Sequence, residues 1–556
     1  MRLRLSLLTL ALSAAFALPA LAQDAAALAD QAQTAYAAKD YARSADLYAA
    51  AAKAGADTGS IYYNAACSAA LAGQKDAAFD FLRKAVDTGW ANGKHMAQDT
   101  DLASLHADAR WAPLTAEIER IATQRERMWN NPVLTSAWDA PLTEDQRVAG
   151  LSRAWSEAKY NFVNFDLVPD LDWDALYLAT LPRVRAAATN EAYYKEMQAF
   201  YAKLNDGHTS VFPDKGAADA WASRPGIDTL WLEGRVIVRD VFDPALRASG
   251  LAPGWEIVAV EGRPVAQFAR DAVLPYIAAS TQQDRESRLY ERFLLTGPLA
   301  TPARVTVRDL QGKSHELSMP RIAGKPRTAL LPNTAPFEFR MLPGNIAWVA
   351  LRSFGDDTAA KEYLAQFPEI AKADAIVFDL RDNGGGNSGV GYKVLATLTD
   401  KPFRTSAWRT REYVPTYRAW QQGEQAHREA AGQVPADGTR RYDKPVYVLT
   451  SARTYSAAED FAVAFDAMQR GRIVGEATGG STGQPLIVSL PGGIMARICT
   501  KRDTYPDGRE FVGVGVQPQV VVHPTVADFR VGRDTVLEAA LDLARGRDQR
   551  VSSGTP

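Results

Sequence analysis

Two unbroken apolar runs constrain this chain more than any other feature. Residues 373–381 read ADAIVFDLR and residues 444–450 read KPVYVLT. Short continuous runs bounded by turn residues are the pattern of buried strands. Small and polar residues follow the second run, and a helical pattern then opens at Ser456 and extends to about Gln469. Further short apolar runs come later: GRIVGE, PLIVSL, IMARICT and QPQVVV. This alternation from about Asn345 onward predicts an α/β layered architecture. A last helix is expected from Gly532 to Ala544.

With 556 residues the chain is too long for a single domain. Residues 1–22 carry Arg2 and Arg4, an apolar stretch and Ala20-Leu21-Ala22, which is the form of a secretory signal peptide. A mature chain beginning near Gln23, periplasmic or secreted, is the expectation. Residues 24–122 are Ala-rich and helical in period. KDYARSADLYAAAAKAG begins at Lys39 and GQKDAAFDFLRKAVDTG at Gly73. Ser44 matches Ala78, Tyr48 matches Leu82 and Ala51 matches Ala85, each at an offset of 34 residues, the period of tetratricopeptide repeats. Residues 135–215 read as helices ending in LNDGHTSVF. Residues 224–322 shift to short strands and turns, and ASGLAPGWEIVAVEGRPV within them resembles a PDZ-domain segment. The strands around Leu230–Val241 and Glu256–Val260 are expected to offer an edge to a partner's C-terminus. Residues 330–525 form the α/β core, and 530–556 a final helix and tail.

Composition excludes several functions. The formal net charge is -2, so neither a nucleic-acid surface nor a polybasic membrane surface is expected. After the leader no segment is apolar and long enough for stable membrane insertion. Cys67 and Cys499 are the two cysteines, and two buried thiols are expected rather than a disulfide framework. Nothing points to a metal or an organic cofactor.

Three places could carry chemistry. Ser456 stands where a strand gives way to a helix, as an N-cap does. The same junction exposes a hydroxyl at the positive end of a helix dipole, with the N–H of Ala457 beside it. Gly384 to Gly386 follow the first buried strand in FDLRDNGGGNSG, where glycines allow close approach of the backbone to a ligand. His208 lies in DGHTS, and Asp206-Gly207 before it suggest an exposed turn.

Taken in order along the chain, LNDGHTSV, the PDZ-like segment, VFDLRDNGGG, VYVLTSARTYSAAEDF, RIVGEATGG and GVGVQPQ resemble the tail-specific, or C-terminal-processing, serine peptidases. The likeness covers about Leu142 to Val522. One branch of that family places a lysine 25 residues after the nucleophile; here that position is Ser481. The chain is therefore more similar to the tricorn-like branch, which pairs serine with histidine and a carboxylate. The resemblance implies Ser456 as nucleophile, His208 as base and Glu510 as third member, with Asp507 its competitor. It also implies an oxyanion hole from Gly385 and Ala457, a crotonase-like β/α core, and protein or peptide substrates. The helical repeats would recruit a partner protein. A non-catalytic binding or adaptor protein on the same fold, as in retinoid-binding modules of the eye, is the alternative.

Overall fold

The computed structural model describes residues 25–56, 58–331 and 335–546. The expected leader, 1–22, and the last part of the expected tail lie outside the described residues. The chain divides into two units, Met1–Asn131 and Pro132–Pro556.

The described part of the first unit is all helical. Residues 25–37 form a helix, followed by Tyr41–Lys53, Gly59–Leu71, Lys75–Asp87, Gly93–Gln98 and Trp111–Trp129. Asp40 and Thr58 cap two of these by accepting from backbone N–H groups of the first turn. The positions matched across the 34-residue offset are all buried: Ser44 with Ala78, Tyr48 with Leu82, Ala51 with Ala85. Small residues there let neighbouring helices approach closely. The Ser44 hydroxyl donates to the Ala32 carbonyl and meets Ser68 Oγ at 3.0 Å, so this buried polar group is satisfied.

The second unit is built on a six-stranded sheet. Its strand order is Phe337–Leu342, Ile346–Leu351, Ala375–Asp379, Val446–Thr450, Arg472–Gly475, Val520–Val521. The first pair is antiparallel and the remaining pairs are parallel. The two apolar runs are adjacent central strands, with Phe378 beside Val448 in register. Both faces are covered, which is why these strands do not alternate. Helices Thr358–Ile370, Ser388–Leu395 and Ala457–Ala467 pack one face through Phe367, Val394, Phe461 and Phe465. Thr535–Ala544 packs the other through Val536, Ala540 and Leu541.

PLIVSL and IMARICT do not join this sheet. They pair with each other as Pro485–Leu490 and Ile494–Cys499, and the second pairs with Ser210–Pro213. That small antiparallel sheet packs on helices Glu144–Asn161, Trp173–Ala186 and Asn190–Ala202. It fixes the segment after His208 to the far end of the sequence.

Residues 227–319 form an antiparallel sheet in the order Ile227–Leu232, Arg235–Val241, Glu256–Val260, Ala303–Arg308, Ser314–Met319. Glu233 and Gly234, at φ 50° and 74°, close its first hairpin. Ile227–Leu232 and Ser314–Met319 are its edges, whereas Glu256–Val260 has a neighbour on both sides, so it cannot offer the edge expected of it. Both cysteines are free and buried. No helix among the described residues is long and apolar enough to cross a membrane.

Candidate active site

Ser456 opens the helix Ala457–Ala467, whose residues from Ala457 to Phe465 are all buried. Its backbone sits at φ 56°, ψ -125°, a combination ordinarily left to glycine. The turn points the side chain out of the helix axis, and Ser456 Oγ lies 3.1 Å from His208 Nε2. Ser456 stands at the N-cap position of a capping box, and its oxygen also faces the imidazole. The cap runs in the reverse direction, with Glu459 accepting the Ser456 N–H at 3.1 Å.

His208 was expected on an exposed turn. It is 2% exposed. Tyr455 covers it, with ring centroids 5.2 Å apart and planes 11° from parallel. Gly207 permits this closeness, because a Cβ there would come within 1.7 Å of the Tyr455 hydroxyl. Asp206, itself fully buried, accepts the His208 backbone N–H at 2.8 Å and so fixes the turn.

The other ring nitrogen decides what orients the imidazole. His208 Nδ1 lies 2.8 Å from Ser481 Oγ. For Nε2 to accept the Ser456 proton, Nδ1 must carry a hydrogen and Ser481 must accept it. Glu510, expected in this place, is not brought to the imidazole. It accepts from Arg502 Nε at 3.0 Å, beside an isolated bridge to Thr504, and its side chain is 43% exposed. The turn at residues 505–509 carries it away, so it serves the ring of charges around Arg502 and Asp166. Asp507 pairs with Arg509 at the surface and is also remote from the site's hydrogen bonds.

Ser481 is positioned by Glu459. This buried carboxylate accepts from Thr478 Oγ1 at 2.6 Å, Gly480 N at 2.7 Å and Ser481 N at 3.0 Å, as well as from Ser456 N. One carboxylate therefore holds the Ser456 backbone and the Ser481 backbone together. Burial pushes its carboxyl up to about 8, against these four donors. The Ser481 carbonyl in turn accepts from Ser456 N at 3.2 Å. Sequence reasoning missed both residues. The signals were present: SAAE at 456–459 has capping-box spacing, and Ser481 fills the position where the related branch carries its lysine.

Burial depresses the His208 pKa well below its ordinary value, and the cations Arg497, Arg288 and Lys501 depress it further. His208 is a neutral imidazole at neutral pH.

The glycine run lies against Ser456. A Cβ on Gly385 would come within 2.6 Å of Ser456 Cβ, and one on Gly386 within 2.1 Å of the Phe354 carbonyl oxygen. The Gly385 N–H, expected in the oxyanion hole, donates to Asn383 Oδ1 at 2.9 Å. Ala457 stands at the first position of the helix, where an N–H has no partner within the helix. Ser456, His208, Gly384 and Gly386 all line a cleft of about 1900 Å³ that also takes in residues of the antiparallel sheet region.

Residues 345–522 match the profile of peptidase family S41. The C-terminal processing peptidase, chloroplastic, of Tetradesmus obliquus is 30% identical over 183 residues, 33% of this chain and 36% of that protein. The carboxyl-terminal-processing protease of Synechocystis sp. is 24% identical over 303 residues, 54% of this chain and 62% of that one. The chain thus spans less than two thirds of either curated relative. Among solved structures, mature CPAF superposes with a TM-score of 0.58 at 15% identity, covering 74% of this chain and 99% of that one, a likeness of fold. Around the sheet that carries Gly385 and Ser456, this chain therefore contains a peptidase family S41 domain, homologous to the C-terminal processing peptidases.

Proposed function

We propose that this chain is an exported serine endopeptidase that hydrolyses peptide bonds of protein substrates, with Ser456 as nucleophile, His208 as base and Ser481 in place of the carboxylate. The observation that carries this reading is the 3.1 Å contact between His208 Nε2 and Ser456 Oγ on a strained strand-to-helix turn. His208 would take the Ser456 proton as the hydroxyl attacks the carbonyl, then return it to the leaving amine. A hydroxyl at Nδ1 fixes the tautomer and ring orientation but adds no negative charge. Stabilisation of the imidazolium then falls largely to the developing oxyanion itself, met by the Ala457 N–H. Gly385 would join that hole once its N–H leaves Asn383.

In the same reading, residues 224–322 act as a PDZ-like substrate-binding region and residues 24–122 as a tetratricopeptide-like module for a partner protein. The core is of the crotonase-like β/α type, and residues 1–22 direct export to the periplasm. A serine-reactive phosphonate probe tests the central claim. It should label the wild type and fail to label Ser456→Ala, while His208→Ala should label slowly. Equal labelling of wild type and Ser456→Ala would overturn the assignment and leave a binding or adaptor role.

A further inference from the structure

Among the described residues no carboxylate meets either ring nitrogen of His208. Nε2 lies 3.1 Å from Ser456 Oγ and Nδ1 lies 2.8 Å from Ser481 Oγ, so both polar edges face neutral hydroxyls. The surrounding charges make protonation harder. Arg497 on the strand Ile494–Cys499, Arg288 in the segment Ser287–Phe293 and Lys501 on the strand Lys501–Thr504 all disfavour an imidazolium. The nearby carboxylates are engaged elsewhere. Asp206 accepts from Asn164 and from the His208 backbone N–H, Asp284 holds Arg288, and Asp503 holds Lys501. What remains to meet a positive charge is a face of the ring.

That face carries Tyr455, with ring centroids 5.2 Å apart and planes 11° from parallel. Tyr455 is buried, and its hydroxyl has no hydrogen-bond partner among the described residues, so the hydroxyl does not account for the residue. The fold makes a slot for the ring instead. A Cβ on Gly207 would come within 1.7 Å of the Tyr455 hydroxyl, and one on Gly479 within 2.3 Å of Tyr455 Cδ2. Neither glycine has a positive φ, so space rather than backbone conformation requires them. The Tyr455 N–H donates to the Asn383 carbonyl at 3.0 Å, which fixes the start of the side chain. Arg288 also stands 5.2 Å from the ring centroid, but its charge is met by Asp284 at 2.6 Å.

An aromatic ring is negative on its face and attracts a cation within about 6 Å of its centroid, more strongly where water is excluded. We propose that Tyr455 is a positioning residue whose ring face stabilises the His208 imidazolium, in place of the charge that a carboxylate would supply. It holds the imidazole between Ser456 and Ser481 at rest and attracts it more strongly once His208 takes the proton. The inference rests on the peptidase reading above and gives His208 an electrostatic partner that the Ser481 hydroxyl is not.

The test replaces Tyr455 in the full chain by phenylalanine, then by 4-fluoro-, 3,5-difluoro- and 3,4,5-trifluorophenylalanine through nonsense suppression. Each fluorine weakens the negative face while the shape and burial of the ring stay nearly constant. The maximal rate of labelling by the serine-reactive phosphonate should fall stepwise, by about tenfold from phenylalanine to the trifluoro member, the scale of a desolvated cation–ring contact. The half-saturating probe concentration should stay the same. The acid limb of that rate should move to lower pH along the series, because a weaker hold on the imidazolium lowers the His208 pKa. The His208 pKa read by NMR in Ser456→Ala should fall in the same order. A merely structural role would lower the rate without that order and leave the pKa in place. A flat series, or a pKa that does not move, overturns the proposal, while labelling that still requires Ser456 keeps the peptidase. Labelling that survives Ser456→Ala, with the His208 pKa still falling along the series, overturns the peptidase and leaves the ring contact.

Discussion

Ser456 holds a backbone conformation that a side chain resists, and the fold maintains it by bonding its N–H to Glu459 and to the Ser481 carbonyl. Replacing it by alanine should end catalysis and cost no more than the ~0.5–2 kcal/mol of a lost N-cap. Ser456→Gly should be more stable than Ser456→Ala by about 1 kcal/mol in urea unfolding, since glycine accepts φ 56° freely. Equal midpoints would show that the turn is unstrained. For His208, a depressed pKa means the neutral base persists on acidification, so the acid limb of kcat/KM should lie below about 6.5, the unperturbed value. The stability sign agrees with it. The unfolded chain takes up the proton first, so the His208 contribution is intact above about 6.5 and is lost as pH falls below that value. A limb at or above 6.5 would contradict the burial argument. Ser481→Ala should lower kcat by roughly 10²–10⁴-fold, the range for losing effective base catalysis, with little change in KM.

At the scale of elements, the catalytic geometry depends on one carboxylate that ties a helix start to a loop. Glu459 meets four donors from Ser456, Thr478, Gly480 and Ser481. Glu459→Gln offers an amide nitrogen where two of those donors need an acceptor. It should cost about 1–3 kcal/mol for the unsatisfied groups and reduce kcat with Ser481 displaced. Full activity would mean that the loop holds itself. The glycine run plays the opposite part, removing atoms rather than adding contacts. Gly386→Ala should disrupt the junction with Phe354, since a Cβ would come within 2.1 Å of its carbonyl oxygen.

Across the whole second unit, a chain of charges joins the antiparallel sheet region to the catalytic core. Arg239 and Arg453 converge on Asp382, and Arg453 also reaches Glu291. Asp382 stands two residues before the glycine run and Arg453 three before Ser456, so a shift of that region is felt at both sides of the site. Burial raises the Asp382 carboxyl, but the two guanidiniums outweigh it and hold it well below the usual range. The stability it supplies is present above about 3.9 and is lost as pH falls below that. Its side chain is 37% exposed, so Asp382→Asn should cost no more than about 1 kcal/mol in stability. Its larger effect should be on activity, with kcat/KM falling and protection of residues 224–322 from proteolysis weakening. Unchanged proteolysis would show that the region is held by packing alone.

The sequence by itself determined the strands and the junction at which Ser456 opens a helix. Apolar runs such as ADAIVFDLR must be buried whatever surrounds them, and a serine at a strand-to-helix turn is set by local geometry. Gly385 and Gly386 also had to be glycines, being at positive φ with no room for a Cβ. Tertiary structure alone decided how these pieces meet. The segment after His208 is held by IMARICT, which pairs with it instead of extending the central sheet, while Glu459 holds Ser481 at the imidazole; apolar periodicity does not say which sheet a strand joins. Glu510 is a carboxylate at a plausible distance along the chain, yet the turn before it aims it at Arg502. Burial of His208 likewise came from Tyr455, a residue far away in sequence, stacking over a turn that reads as exposed. Orientation, pairing and desolvation are set by contacts between distant segments, and no local pattern encodes them.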